Sequence, residues 1–149
     1  MIVSLHVATG GALGHLARSR VRALLIGPVL HVAEDRVPHE DIPDRRFEIG
    51  SGLLCLGALA LRRGPFDPAT IGAAAASAPD LEHIFPRLRP GGRKLFHWKP
   101  QHGAGFPASL QLLAAGAILG LLLSPRRVPG AATGEPAARR RRRAAERAS

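Results

Sequence analysis

Apolar residues in this chain come in five runs, residues 5–17, 21–33, 49–61, 69–78 and 106–123, each closed by a charged or Pro/Gly-rich break. The runs are built from Leu, Ala, Val, Ile and Gly, and Leu and Ala favour helix. Only 106–123, eighteen residues without a charge, approaches the ~20 apolar residues that span a bilayer. The others reach spanning length by taking in their flanks, helped by bilayer thinning and by flanking arginines that reach to the interface. The pattern predicts an all-α fold, a multi-pass transmembrane bundle of about five short helices in the cell membrane. A helical domain outside the membrane is disfavoured by the uncharged run 106–123.

At 149 residues the chain has room for one core. Aromatics make up 4% and tyrosine is absent, so aliphatic side chains must form that core. Gly10 and Gly14, like Gly116 and Gly120, are four apart, a spacing that lets helix backbones approach closely. The single Cys55 excludes an internal disulfide framework and reads as a packed thiol. Beyond residue 123, Pro125, Pro129, Gly130, Gly134 and Pro136 break any helix, so residues 124–149 are expected to be a disordered tail. That tail holds the arginine block 139–143, which accounts for half of the net charge of +10. It suits anionic lipid headgroups, while the lack of interleaved aromatics argues against specific nucleic-acid recognition. The first apolar run has no basic segment before it, so no ordinary signal peptide is expected.

Threading residues 1–123 through a membrane five times puts 13 Lys and Arg on the side that holds the tail and 8 on the other, which places the tail in the cytoplasm. The same threading gathers six of the seven histidines on the second side and leaves only His15 opposite. His31, Asp35 and His39 follow one another at helical one-turn spacing, although Pro38 ends or bends a helix there. Asp80 and His83, three apart, face one way on a single helical turn, with Glu82 turned aside. An imidazole and a carboxylate one turn apart can grip one metal ion, and carboxylates beside apolar runs are costly unless paired or ligated. The competing reading of each cluster is a helix end or turn whose charges face water.

The stretch Pro79-Asp80-Leu81-Glu82-His83 resembles the Pro-Asp-x-Asp-His signature of the membrane-bound, metal-dependent hydrolase-like proteins of bacterial inner membranes. Leu5-His6-Val7-Ala8-Thr9-Gly10 is similar to that family's N-terminal histidine helix. Gly27-Pro-Val-Leu-His31-Val-Ala-Glu-Asp35-Arg-Val-Pro-His39 is similar to its His-Asp-His helix, and the resemblance covers about residues 4–123. Here the His-Asp-His helix comes first, and the family's His-Arg-x-x-Thr-His-Ser stretch has at best a remnant at Phe96-His97-Trp98-Lys99-Pro100-Gln101-His102. The resemblance implies a metal held by His6, His31, Asp35, His39, Asp80 and His83, with His97 and His102 as further contributors. Nitrogen and carboxylate donors without thiolate suit Zn²⁺ first, then Mn²⁺ or Fe²⁺.

The expected activity is hydrolysis of a lipid or phosphoester by metal-activated water, with Glu82 or Glu34 taking the proton. Arg87, Arg89, Arg93 and Lys94 are on the same side and suit a phosphate group. The alternative is a non-catalytic membrane protein that binds or moves a divalent ion.

Overall fold

In the computed structural model, which describes residues 1–85, 87, 89–97 and 104–125, the chain is all-helical. The elements are α1 (Val3–Ala17), α2 (Arg20–Glu34), α3 (Arg45–Arg63), α4 (Pro68–Ser77), a 3₁₀ turn (Ala78–Asp80), α5 (Leu81–Ile84), a second 3₁₀ turn (Pro90–Gly92) and α6 (Ala108–Leu123). Local chemistry explains the boundaries. Ser19, Asp44 and Asp67 cap the first turns of α2, α3 and α4 through their side-chain oxygens, with Pro68 in the first turn of α4. Gly64, at φ +97°, ends α3 where a β-carbon would be strained.

α1 is the central element and packs against α2, α3, α4 and α6. Its apolar side chains Leu5, Val7 and Ala8 join Ile2, Leu59, Ala73, Ala115, Leu119 and Leu122 in one core cluster. α1 and α4 touch backbone to backbone. A β-carbon at Gly10 or Gly72 would fall inside the van der Waals radius of the facing main chain, and one at Gly27 would do the same between α2 and Ala75 of α4. That closeness brings the starts of α1 and the ends of α2 and α4 to one end of the molecule. Gly116 and Gly120, in contrast, have nothing within 4 Å of where a β-carbon would stand.

The transmembrane reading does not survive: among the described residues no helix is long and apolar enough to cross a membrane. The run 106–123 loses its first two residues to an extended segment ending at Pro107, and the 16 residues left in α6 are roughly 24 Å long against a hydrocarbon core of ~30 Å. α3 has 19 residues but carries Arg45, Arg46 and Glu48 at its start and Arg62 and Arg63 at its end. The multi-pass bundle, its cell-membrane placement and the cytoplasmic side assigned to the tail therefore all fall. The tail itself, from residue 126 on, lies outside the described residues.

A candidate metal centre at one end of the bundle

Four elements converge on Asp35, which caps the C-terminus of α2 and is buried. α1 brings His6 and α2 brings His31, both fully buried. The turn after α4 brings Asp80, and the segment before residue 98 brings His97. His31 Nε2 lies 3.0 Å from His97 Nε2 and 3.3 Å from Asp35 Oδ2. His97 Nε2 is 3.2 Å from Asp35 Oδ2 and 3.4 Å from Asp80 Oδ1, and His31 Nε2 is 4.0 Å from the same Asp80 oxygen. Donors ~2.0–2.2 Å from a tetrahedral ion stand roughly 3.3–3.6 Å apart. The separations of 3.2–3.4 Å match that spacing, those of 3.0 and 4.0 Å bracket it, and His31, Asp80 and His97 lie close enough together to hold one ion.

The imidazoles are oriented as ligands are. His31 Nδ1–H donates to the Ala76 carbonyl at 2.8 Å, and His97 Nδ1–H donates to Glu82 Oε1 at 2.6 Å. Each ring then presents Nε2 to the cluster, the pattern in which a second group sets the tautomer of a metal-bound histidine. His6 repeats it, with Nδ1 on Glu34 Oε2 at 2.7 Å and Nε2 on Asp35 Oδ1 at 3.1 Å. Two Nε2 atoms 3.0 Å apart repel unless a proton or a cation lies between them. Asp80 Oδ2 is buried with no hydrogen-bond partner, a cost of about 1–3 kcal/mol that a cation reaching this second oxygen would remove. Two donor groups, His6–His31–Asp35 and His31–Asp80–His97, have the composition and spacing to hold a divalent ion.

Protons hold the cluster together without an ion. Burial disfavours the charged imidazolium of His6, but the bonds to Asp35 and Glu34 outweigh it and raise the pKa to about 9. For His97 burial is likewise overcome, by Asp35, Asp80 and Glu82, and the pKa rises to about 10. Asp35 and Asp80 are held below the usual carboxylate range in spite of burial, Asp35 by His31, His6 and His97, and Asp80 by His97 first.

The other expected residues are placed as follows. Glu82 is buried, and its oxygens accept the backbone N–H groups of Leu95, Phe96 and His97 as well as the His97 ring. Those bonds outweigh its burial and bring its pKa to about 2, which leaves a poor proton acceptor and a strong positioning group. Glu34 holds His6. His83 is half-buried against the His97 ring, with centroids 4.0 Å apart, and stands outside both donor groups. Burial, then the charges of His97 and Lys94, lower its pKa to about 4. His39 is buried, its Nδ1–H donates to the Val37 carbonyl at 2.7 Å, and Nε2 meets the amino group of Met1 and, at 3.3 Å, Asp41. His15 is exposed at the other end and accepts from Arg63. Arg89 donates to the Glu82 carbonyl, while Arg87 and Arg93 are exposed. His102 lies outside the described residues.

Two positioning groups had no signal in the sequence. The buried Gln111 of α6 accepts from Ile2 N–H and donates to the Glu40 and Phe106 carbonyls, tying α1 to the segment that carries His39. The Ala76 carbonyl, which orients His31, is main chain and invisible to motif reading. A cavity of ≈ 350 Å³ opens beside the cluster. Asp35, Asp80, His83 and His97 form one wall of it, and Ile42, Ile49, Leu53, Leu56 and Ile84 line the rest together with Arg45, Asp41 and Glu48. Comparison with protein-family models, with curated proteins and with solved structures found no match for this chain.

Proposed function

We propose that the chain is a divalent-metal protein that hydrolyses an amphiphilic ester, with His31, His97, Asp80 and Asp35 as the ligands of its ion. The observation that carries this is the His/Asp cluster beside a cavity, with Asp35, Asp80 and His97 in the cavity wall, since a ligand pocket typically offers ≈ 300–1,000 Å³ with a few polar groups on mostly apolar walls. Two imidazoles and two carboxylates suit Zn²⁺ best, with Mn²⁺ or Fe²⁺ next. When bound, such an ion supplies Lewis acidity and lowers the pKa of a coordinated water toward ~7. The residues supply the rest. The apolar wall (Ile42, Ile49, Leu53, Leu56) receives an acyl or alkyl group. Arg45, which donates to the His83 carbonyl at 2.6 Å, puts a guanidinium beside the cavity for an ester phosphate or carboxylate. Glu82 keeps His97 in place rather than moving a proton.

A second reading has its own observation. Four protein donors already complete a tetrahedron, as in sites where the ion serves structure alone. Loading chelator-stripped protein with Zn²⁺ and assaying p-nitrophenyl hexanoate and bis(p-nitrophenyl) phosphate separates the two. Turnover that disappears with EDTA and drops at least about tenfold in His97→Ala supports hydrolysis. Stoichiometric Zn²⁺ binding with no turnover of either ester would leave the structural ion as the answer.

A further inference from the structure

Ester hydrolysis needs a group that takes a proton from the attacking water, and Glu82 and Glu34 are committed to the rings of His97 and His6. Asp35, Asp80 and His97 open onto the cavity, so water attacks from that side and its proton acceptor belongs to the cavity wall. Among the described residues the carboxylates of that wall are Asp35, Asp41, Glu48 and Asp80. Asp35 and Asp80 are part of the cluster. Asp41 is exposed and stands 3.3 Å from His39 Nε2. Glu48 is half-buried and comes from α3, the wall that faces the cluster across the cavity.

Packing seats Glu48 there. Arg45, Glu48, Ile49, Gly52, Leu53 and Leu56 recur at helical spacing and form one stripe of α3 along the cavity. Arg45, about one turn before Glu48, donates to the His83 carbonyl at 2.6 Å, which ties the start of α3 to the segment that carries Asp80 and His83. Gly52, about one turn after it, lies against Val3 with no room for a β-carbon. Val3 also lines the cavity and opens α1, the helix of His6. The Glu48 carboxylate therefore feels the charges of Asp41, of Asp80 in the cluster, and of the Met1 amino group, which is 2.6 Å from Asp35 Oδ1.

We infer that Glu48 is the catalytic base, taking a proton from the water that attacks the ester and passing it to the leaving alkoxide. The inference rests on the hydrolytic reading above and names the proton acceptor that it lacks. As the water oxygen bonds to the ester carbon or phosphorus, one proton moves to a Glu48 carboxylate oxygen. As the ester C–O or P–O bond breaks, that proton goes to the departing oxygen, and nothing is oxidised or reduced. Burial, then the charges of Asp41 and Asp80, raise the Glu48 pKa above the ordinary carboxylate value, toward the range in which a base serves at neutral pH. His83, on the same cavity, is weakened as a base by burial and then by the charges of His97 and Lys94.

Kinetics and metal binding, measured together, test this. Zn²⁺-loaded full chain and its Glu48→Gln variant are assayed on p-nitrophenyl hexanoate and bis(p-nitrophenyl) phosphate, and Zn²⁺ affinity is measured by calorimetry. In Glu48→Gln kcat should fall by about 10²- to 10⁴-fold, the usual contribution of a positioned base, while KM and Zn²⁺ affinity stay unchanged. The acid limb of kcat/KM against pH in the unsubstituted chain should be missing from the residual activity of the variant. Glu48→Ala, for use if Glu48→Gln does not fold, should lose turnover likewise and regain part of it when formate is added. An unaltered kcat in either variant overturns the assignment and leaves hydrolysis standing. A loss of kcat matched by a loss of Zn²⁺ affinity also overturns it, because Glu48 would then act through the metal site. No turnover in the unsubstituted chain overturns both.

Discussion

Glu82 shows how a residue type recognised in the sequence takes its role from its partners. A carboxylate beside ligand-type residues suggests a proton acceptor, but three backbone N–H groups and one imidazole leave Glu82 no free basic oxygen. If it positions His97, Glu82→Ala should reduce Zn²⁺ affinity by about 10- to 100-fold, with Glu82→Gln intermediate because an amide oxygen at the Oε1 position still accepts three of the four bonds. A general base would behave differently: metal affinity would stay constant while turnover collapsed. Calorimetry on the two variants decides between them. Gln111 gives a second residue-scale outcome. Gln111→Leu strands the Ile2 N–H and the Glu40 and Phe106 carbonyls in a buried setting and should cost about 1–3 kcal/mol in urea unfolding. His31, Asp35 and Asp80 were legible as ligand types at one-turn spacing, a pattern that fits a solvated helix end as well, and His6 stood out through the threading and the family resemblance rather than through any spacing. His97 was legible only as a loop remnant, since its place depends on the fold of a segment with no periodicity of its own.

At the scale of elements, the glycines decide where helices meet. Gly10 and Gly14 share their four-residue spacing with Gly116 and Gly120, and spacing alone cannot tell the pairs apart. The structure does: the first pair lies against the backbone of α4, the second against open space. Gly72→Ala should therefore separate α1 from α4 and cost about 1–3 kcal/mol, as overpacking does. It should also weaken Zn²⁺ binding, because His6 is carried by α1 and Asp80 by the turn that follows α4. Gly116→Ala should be neutral or stabilise by up to about 1 kcal/mol, from helix propensity alone. Urea unfolding of both variants, each with and without Zn²⁺, measures the contrast.

For the whole molecule, the buried charges set how stability depends on pH without metal. His6 and His97 have folded pKa values of about 9 and about 10 against an ordinary 6.5, so what they contribute is complete below pH 6.5 and is lost as pH rises through 9 to 10. Asp35, Asp80 and Glu82 are lowered, Glu82 to about 2 from 4.5, so their contribution is present above about pH 4.5 and is lost as pH falls. His83, lowered to about 4, works against the fold below pH 6.5, because the unfolded chain takes up its proton first. In EDTA the melting temperature should therefore fall between pH 7 and pH 10, and fall again below about pH 6.5, through His83 first and through the carboxylates below about pH 4.5. Saturating Zn²⁺ should offset the alkaline loss, since the ion replaces the departing protons. A melting temperature in EDTA that is unchanged from pH 7 to pH 10 would argue against a protonated cluster.

Composition and local pattern were enough to determine that the chain is helical, roughly where its helices begin and end, and which side chains are metal-ligand types. These are properties of neighbours along the chain: caps, propensity and one-turn spacing. Hydropathy went wrong on the membrane because it reads apolar residues without reading length and flanks together. The chain's apolar residues in fact divide between a small Ala-rich core and outward positions such as Leu24, Leu25, Val29, Leu53 and Leu121. The gathering of His6, His31, Asp35, Asp80 and His97 at one end of the bundle was decided by tertiary structure. It depends on the backbone contact of α1 with α4, on a carbonyl that turns His31, and on a loop pinned by Glu82. Each of those is a contact between residues far apart in the chain, and only packing brings them together.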